Sequence, residues 1–250
     1  MPTQPRIIGM IPARLGATRF PEKVLANATG KPLIQHVYEN AKRASRLQEL
    51  VIATDHDRVA DACKKFGAPV LMTDAAHPNG TSRLAQAAKA MNLADHDIIV
   101  NVQGDEPDME PAVINACVDA LTQSTAEVAT VGSPWNPADD PANPAIVKVV
   151  TSTKNLALYF SRSRIPYPRD ASLQNTTTGL LRHVGLYAYR NHFLQQYTTL
   201  APTQLEKAES LEQLRVLEHG YRIAVAIIES KGTGIDTPEQ YEAFVKRYRS

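Results

Sequence analysis

Three cations punctuate one short stretch of this chain. Arg14, Arg19 and Lys23 fall within RLGATRFPEK, spaced by Gly16 and Pro21, directly after the apolar run IIGMI. Cations spread over a Gly- and Pro-containing loop suit a polyanion, and a nucleoside triphosphate fits that charge. The spacing is not that of a P-loop: Gly30-Lys31-Pro32 lacks both the leading glycine and the hydroxyl. On their own, such cations are more often solvated surface charge, so the rest of the chain must supply the argument.

Acids supply part of it. VQGDEP ends an apolar stretch in Gly104, then Asp105 and Glu106; GTGIDTP places Asp236 just before a helix-start signal. Carboxylates at two strand ends are what a magnesium–triphosphate complex requires, because Mg²⁺ takes hard oxygen ligands and keeps phosphate partners. Turn chemistry for Gly-Asp-Glu-Pro, and service to a helix dipole for Asp236, are the competing structural roles. Gly80-Thr81-Ser82-Arg83 offers backbone, hydroxyl and a planar donor fork, although Thr81 could equally be only a helix N-cap. A later group comprises Arg162, Arg164, His183, Tyr187, Glu209, Glu212 and Gln213. There an arginine pair suits an anionic substrate, and an acid–amide pair suits sugar hydroxyls. Glu206 reads as part of an ordinary solvated face. HExxH, cysteine-cluster and Ser-His-Asp patterns are absent, which argues against zinc and acyl-enzyme chemistry.

Elements that could position these groups follow from periodicity. Ile7–Ile11, bounded by Pro12, reads as a buried strand, with further strands at 50–55, 69–73, 97–103 and 127–133. Helical patterns intervene at 31–45, 58–66 (stopped by Gly67), 82–91 and 111–124. Such alternation predicts βαβ units around a mainly parallel sheet, an α/β fold, with ligands at the carboxyl ends of the strands. Turn-rich 136–144 breaks the rhythm. Strand-like 147–150 and 156–160 then predict an antiparallel insertion, 169–178 a mobile polar loop, 184–189 a strand, and 202–219 one long helix ended by Gly220. Residues 222–228 return as a strand, and Thr237, Pro238 and Gln240 signal the closing helix. One domain is expected, with 1–135 and 222–250 as nucleotide-binding core and 136–221 as a sugar-binding and dimerisation subregion.

Over 250 residues the apolar fraction of 43% supports a sizeable core, and the net charge of +1 gives no global field for nucleic acid or anionic membrane. The N-terminus has no signal-peptide apolar region, and no stretch approaches a membrane span. Cys63 and Cys117 fall on apolar helical positions, so buried free thiols in a reducing cytoplasm are expected.

With these motifs laid out, the chain resembles the CMP-Kdo synthetases, or 3-deoxy-manno-octulosonate cytidylyltransferases. The resemblance runs from Ile7 to about Tyr248. It rests on IPARLGATRFPEK, GKPLIQHV, IATDHDRVA, HPNGTSR, IVNVQGDEP, NPAIVKVV, ALYFSRSRIP, LRHVGLYAYR, LEQLRVLE and GTGIDTPE, all in the family's order. It implies a nucleotide-diphospho-sugar transferase fold, a homodimer, Mg²⁺ dependence, and the reaction of CTP with Kdo to CMP-Kdo and pyrophosphate for lipopolysaccharide assembly. Position by position, it implies that Arg14, Thr18, Arg19 and Lys23 meet the triphosphate. Thr54, Asp55, Gly80, Thr81, Arg83 and Gly104 would line the nucleotide pocket, with Gln103 between nucleotide and sugar. Asp105 and Asp236 would bind Mg²⁺ and, with Lys23, carry catalysis; Arg162, His183, Tyr187, Glu212 and Gln213 would contact the sugar acid. The chain departs from the family's usual pattern at Ala17 (usually Ser), Glu22 (usually Gly) and Ser82 (often Glu). A cytidylyltransferase for 8-amino-Kdo or another acid sugar, and a non-catalytic nucleotide-binding protein of the same fold, remain the alternatives.

Overall fold

The computed structural model describes residues 4–16, 19–173 and 176–249. Its contacts group into two compact units. Unit 1 comprises Met1–Asn115, Arg190–Thr198 and Lys231–Ser250; unit 2 comprises Ala116–Tyr189 and Thr199–Ser230. The nucleotide-core and sugar subregions expected from the sequence change at 135 and 221, whereas these units exchange chain after 115, 189, 198 and 230.

Unit 1 carries four parallel strands: β1 (Ile7–Ala13), β2 (Glu49–Thr54), β3 (Val70–Met72) and β4 (Ile98–Asn101), in the order β3-β2-β1-β4. The almost unbroken burial of β1, β2 and β4 is that of strands covered on both faces. Helices α1 (Leu33–Ala41), α2 (Asp57–Lys65) and α3 (Gly80–Ala90) follow β1, β2 and β3 in turn. Each buries one apolar stripe, Leu33, Ile34, Val37, Tyr38 and Ala41 in α1. α2 stops where expected, at Gly67 with φ +75°. β1 continues through Pro12, which the sequence had marked as its boundary; Pro12 lies in register with Ala53. Asn79, not Thr81, caps α3, its side chain accepting from Ser82 N at 2.9 Å; Thr81 is buried in the first turn. Reversal of strand order about β1 creates a switch point beside β4, the place where open α/β sheets bind ligands.

Helix α4 (Pro111–Thr122) leads into unit 2. There β5 (Val128–Pro134) is flanked by antiparallel β8 (Leu181–Arg190) and parallel β9 (Ile223–Ile227). β6 (Lys148–Thr151) and β7 (Ala157–Ser161) form the expected antiparallel pair, and β6 also pairs with β8. The stretch 169–178 contains a single 3-10 turn at Ala171–Leu173, and Gln174 and Asn175 lie outside the described residues. The long helix expected at 202–219 is two short ones, α6 (Gln204–Glu209) and α7 (Gln213–Glu218), because Ser210 adopts φ +51° and ends the first. α5 (Asn191–Tyr197), in unit 1, is an element beyond those the sequence pattern predicts: its polar sequence hides a stripe of Phe193, Leu194 and Tyr197.

The closing helix α8 (Pro238–Arg249) begins as read. Thr237 Oγ1 accepts from Gln240 N at 3.4 Å, and Gln240 Oε1 accepts from Thr237 N at 3.1 Å. Tyr241, Phe244 and Val245 of α8 pack with Leu33 and Ile235, and Phe20 and Ala26 lie against this cluster. That packing is what positions the site, because Phe20 and Ala26 bracket Lys23, and Ile235 precedes Asp236.

Candidate active site

Because the strands of unit 1 are parallel, every loop leaving a carboxyl end emerges at one edge of the sheet. Arg14 follows β1, Asp55 follows β2, and Gln103, Gly104 and Asp105 follow β4. Gly104 is required there: a Cβ on it would stand 2.7 Å from the carbonyl oxygen of Pro12 in β1. Only a residue without a side chain lets the two strand ends close at the switch point.

Asp236 reaches the same place from the far end of the chain. Ile235 N donates to Asp105 O at 2.8 Å, laying the loop before α8 against the loop after β4. Between them stands the ammonium of Lys23. It donates to Asp105 Oδ2 at 2.6 Å, to Ile235 O at 2.9 Å and to Asp236 Oδ1 at 3.1 Å. Its three protons thus meet three oxygens. Arg19 adds a second cation, 3.0 Å from Asp236 Oδ2. Lys23 is only 13% exposed, Asp105 29% and Asp236 42%, so the cluster is sheltered on one side and open on the other. Arg14 stands exposed one residue beyond β1. Thr18 and Ala17 lie outside the described residues.

Other residues of the nucleotide group are held nearer the sheet. Arg83 is 3% exposed and donates to Asp55 Oδ2 at 2.9 Å and Thr73 Oγ1 at 2.6 Å. Thr54 is buried, its hydroxyl accepting from His56 N at 3.3 Å. Gly80 and Thr81 open α3, with Gly80 close to the Pro12 ring. Glu22 adopts φ +57°, a left-handed conformation natural to the glycine usual at this position in the resembled family. Its carboxylate pairs with Arg58, one oxygen at 2.8 Å from Nη2, and this bond chiefly holds its pKa below the usual carboxylate range.

Unit 2 holds the residues expected to meet a sugar acid. Arg162 Nε donates to Glu209 O at 2.7 Å, Nη1 to Pro144 O at 3.0 Å and Nη2 to Ser210 O at 3.4 Å, so much of its fork braces main chain. Arg164 Nη2 similarly reaches Thr176 O at 2.9 Å. Glu209 accepts from Ser161 Oγ at 2.7 Å and Arg162 N at 2.9 Å. His183 and Tyr187 are neighbours on β8, ring centroids 5.6 Å apart. Gln213 is 7% exposed with no partner for its buried Nε2, a donor that a ligand oxygen would satisfy. Glu212 immediately precedes α7.

Glu206 is not the solvated residue its neighbours suggested. It is 8% exposed, shares a capping box with Thr203, and receives Arg215 Nε at 2.7 Å. Burial pushes its pKa up, but the Arg215 and Thr203 bonds outweigh this and leave it lowered. Lys148 is a buried cation that no motif marks. It is fully buried, over the Trp135 ring, and donates to Asn143 O and Arg162 O, both at 2.7 Å. The one signal was a lysine inside the apolar run AIVKVV. Cys63 and Cys117 are buried free thiols; burial alone pushes Cys63 up to about 12 and also raises Cys117. Among the described residues no helix is long and apolar enough to cross a membrane, and no group of three or more His, Cys, Asp or Glu side chains gathers as a metal site.

Comparison with known proteins shows the family and the fold. The sequence model of a family described as Cytidylyltransferase matches residues 8–223. A 3-deoxy-manno-octulosonate cytidylyltransferase of Syntrophobacter fumaroxidans is 47% identical over 96% of both chains. One from Vibrio vulnificus is 47% identical over 93% of this chain and 94% of that protein. Among solved structures, a CMP:2-keto-3-deoxy-manno-octonic acid synthetase complexed with CTP superposes with a TM-score of 0.90 at 40% identity, covering 98% of each chain. A 4-diphosphocytidyl-2C-methyl-D-erythritol synthase, 12% identical with a TM-score of 0.64 over 98% of both chains, shares the fold. With a mixed parallel and antiparallel Rossmann-like architecture and this degree of likeness along its whole length, the chain belongs to the 3-deoxy-manno-octulosonate cytidylyltransferase family.

Proposed function

We propose that this protein transfers CMP from CTP to the anomeric hydroxyl of Kdo, giving CMP-Kdo and pyrophosphate for lipopolysaccharide biosynthesis. The observation that carries this reading is the meeting of Lys23, Asp105 and Asp236, distant in sequence, at the carboxyl edge of the unit 1 sheet. A triphosphate brings close to four negative charges to that edge. Arg14 and Arg19 lie exposed on the loop that would meet it, and Lys23 needs only a rotation of its side chain to leave the carboxylates for a phosphate oxygen.

The same carboxylates fit Mg²⁺. Asp105 Oδ2, Ile235 O and Asp236 Oδ1 already surround a single cationic centre with hard oxygen donors, the donor set Mg²⁺ prefers. When bound, Mg²⁺ supplies charge neutralisation on the phosphates and lowers the pKa of an attacking hydroxyl. Asp105 and Asp236 would hold it, and Lys23, freed from them, would stabilise charge moving onto the departing pyrophosphate. The anomeric oxygen attacks the α-phosphorus in line; the new O–P bond forms as the bond to pyrophosphate breaks, and the hydroxyl proton passes to solvent. Positioning and preorganised charge supply the acceleration, with no covalent enzyme intermediate.

In unit 2, Gln213 Nε2 and His183 would offer a donor and a ring nitrogen to the sugar acid, with Tyr187 and Glu212 as further contacts, while Arg162 keeps part of its fork for a carboxylate. We further propose a homodimer formed through unit 2, covering the exposed Leu158, Tyr167 and Leu173, and a cytoplasmic setting in which both cysteines stay reduced.

The test is pyrophosphate release. Pyrophosphate formed from CTP, Mg²⁺ and Kdo, but not without the sugar, is the expected result. Absence of product excludes the reading in favour of a silent nucleotide-binding protein. Faster turnover of 8-amino-Kdo or another acid sugar in the same assay would reassign the substrate.

A further inference from the structure

Thr130 carries no role in the site described above, yet its hydroxyl lies against the His183 ring. It lies on β5 where the register against β8 slips: Thr130 pairs with Tyr187, but the next residue, Val131, pairs with Val184. Gly185 and Leu186 are therefore extra residues on β8, a bulge that takes carbonyls out of the regular ladder. The fully buried Thr130 side chain turns into this bulge. Its Oγ1 donates to Leu186 O at 2.8 Å, with Val184 O at 3.3 Å, and lies 2.9 Å from His183 Nε2.

Proton counting fixes the rest. A threonine hydroxyl has one proton, and a carbonyl oxygen can only accept. That proton belongs to the Leu186 carbonyl, the shorter contact, so toward His183 the hydroxyl oxygen can only accept. Nε2 must therefore carry a hydrogen. Nδ1 has no hydrogen-bonding partner among the described residues. The ring packs against the edge-on ring of Phe160, centroid 5.0 Å away, and against Tyr187. Burial, and secondarily the neighbouring cation of Arg182, push the His183 pKa down to about 3, so a second proton on Nδ1 is disfavoured near neutrality.

We propose that Thr130 is a positioning residue that holds His183 as its neutral Nε2–H tautomer, so that Nδ1 meets the sugar acid as an acceptor for a hydroxyl and not as a cation for its carboxylate. The recognition half rests on the reading in Proposed function; the tautomer half does not. It also divides the labour of sugar binding: a hydroxyl falls to His183, and the carboxylate to arginine.

The experiment uses the full chain labelled with ¹⁵N-histidine, with the His183 signals assigned by their loss in His183→Gln. Wild type should show a protonated-type Nε2 and an unprotonated-type Nδ1 at neutral pH, and Thr130→Ser should retain both. Thr130→Val, which keeps the shape and removes the oxygen, should lose the single tautomer. It should raise the KM for the sugar about tenfold, the size expected for one displaced buried hydrogen bond, with the KM for CTP unchanged and rescue in Thr130→Ser. A wild-type spectrum with Nδ1–H or imidazolium overturns the proposal, and that spectrum decides the matter even if Thr130→Val fails to fold. An unchanged sugar KM in a variant that has lost the tautomer overturns it as well. If the wild type releases no pyrophosphate from CTP and Kdo, the functional reading fails while the spectra still judge Thr130.

Discussion

Replacing Lys23 by methionine keeps the aliphatic stem and removes the charge, so it separates packing from electrostatics. Three contacts disappear: to Asp105 at 2.6 Å, Ile235 O at 2.9 Å and Asp236 at 3.1 Å. Asp236 is 42% exposed, and solvent screening leaves its contact worth about 0.5 kcal/mol. The sheltered contact to Asp105 is a charge-assisted hydrogen bond of about 1.5 kcal/mol, and the carbonyl contact adds about 0.5–1 kcal/mol. The total, about 2.5–3 kcal/mol, corresponds to a fall in Tm of roughly 5–10 °C for a chain of this size. Turnover should suffer more. If the ammonium moves to the triphosphate, its loss lowers kcat/KM for CTP by about 10²–10³ with little change in the sugar KM. Lys23→Arg should recover part of each effect, because the charge returns but a planar fork cannot sit at one point among three oxygens. The variant also reads out the metal proposal without turnover. In Lys23→Met the two carboxylates lose the ammonium they share, Arg19 remaining on Asp236 alone, so Mg²⁺ without nucleotide should raise its Tm more than it raises that of the wild type. A Tm within about 1 °C of wild type together with unchanged CTP kinetics would refute the reasoning.

Three further outcomes follow from individual contacts. Gly104→Ala places a Cβ at 2.7 Å from Pro12 O, which only a backbone shift can relieve, so it should destabilise by about 1–3 kcal/mol in denaturant titration and lower turnover by moving Asp105. Glu22→Gly releases a left-handed conformation, and its Arg58 partner is solvent-exposed; Tm should rise by about 2 °C in calorimetry, and a fall would show that the ion pair outweighs the backbone term. Asp97, 2% exposed, accepts from Arg6 N at 2.9 Å and Ala94 N at 2.8 Å. Burial raises its pKa, but these bonds and the Arg6 guanidinium outweigh it, so the folded pKa lies below the unfolded value. Its stabilisation is therefore complete above the unfolded aspartate pKa of about 3.9 and is lost as pH falls through the lower folded value. Urea midpoints should show Asp97→Asn less stable than wild type at pH 7, the gap closing toward acid; a gap that widens in acid would contradict the sign.

What the sequence determined by itself was local. Backbone sterics and burial on one face act over a few residues, so β2, β4 and β9, the stop of α2 at Gly67 and the capping of α8 at Thr237 were all legible from type and spacing. The candidate ligands were legible too, because Lys23, Asp105 and Asp236 sit in loops beside those elements. Which groups neutralise which was not legible. Glu206 looks like its solvated neighbours until Arg215 folds onto it, and Lys148 looks like a surface lysine until Asn143, Arg162 and Trp135 enclose it. The break at Ser210 and the bulge opposite Thr130 depend on a left-handed turn and on strand pairing that no local pattern encodes. Only the tertiary structure decided that one ammonium, near the start of the chain, answers one carboxylate from its middle and one from near its end. Charge pairing depends on distance in space, and long-range packing, here the Phe20, Ile235 and α8 cluster, sets that distance.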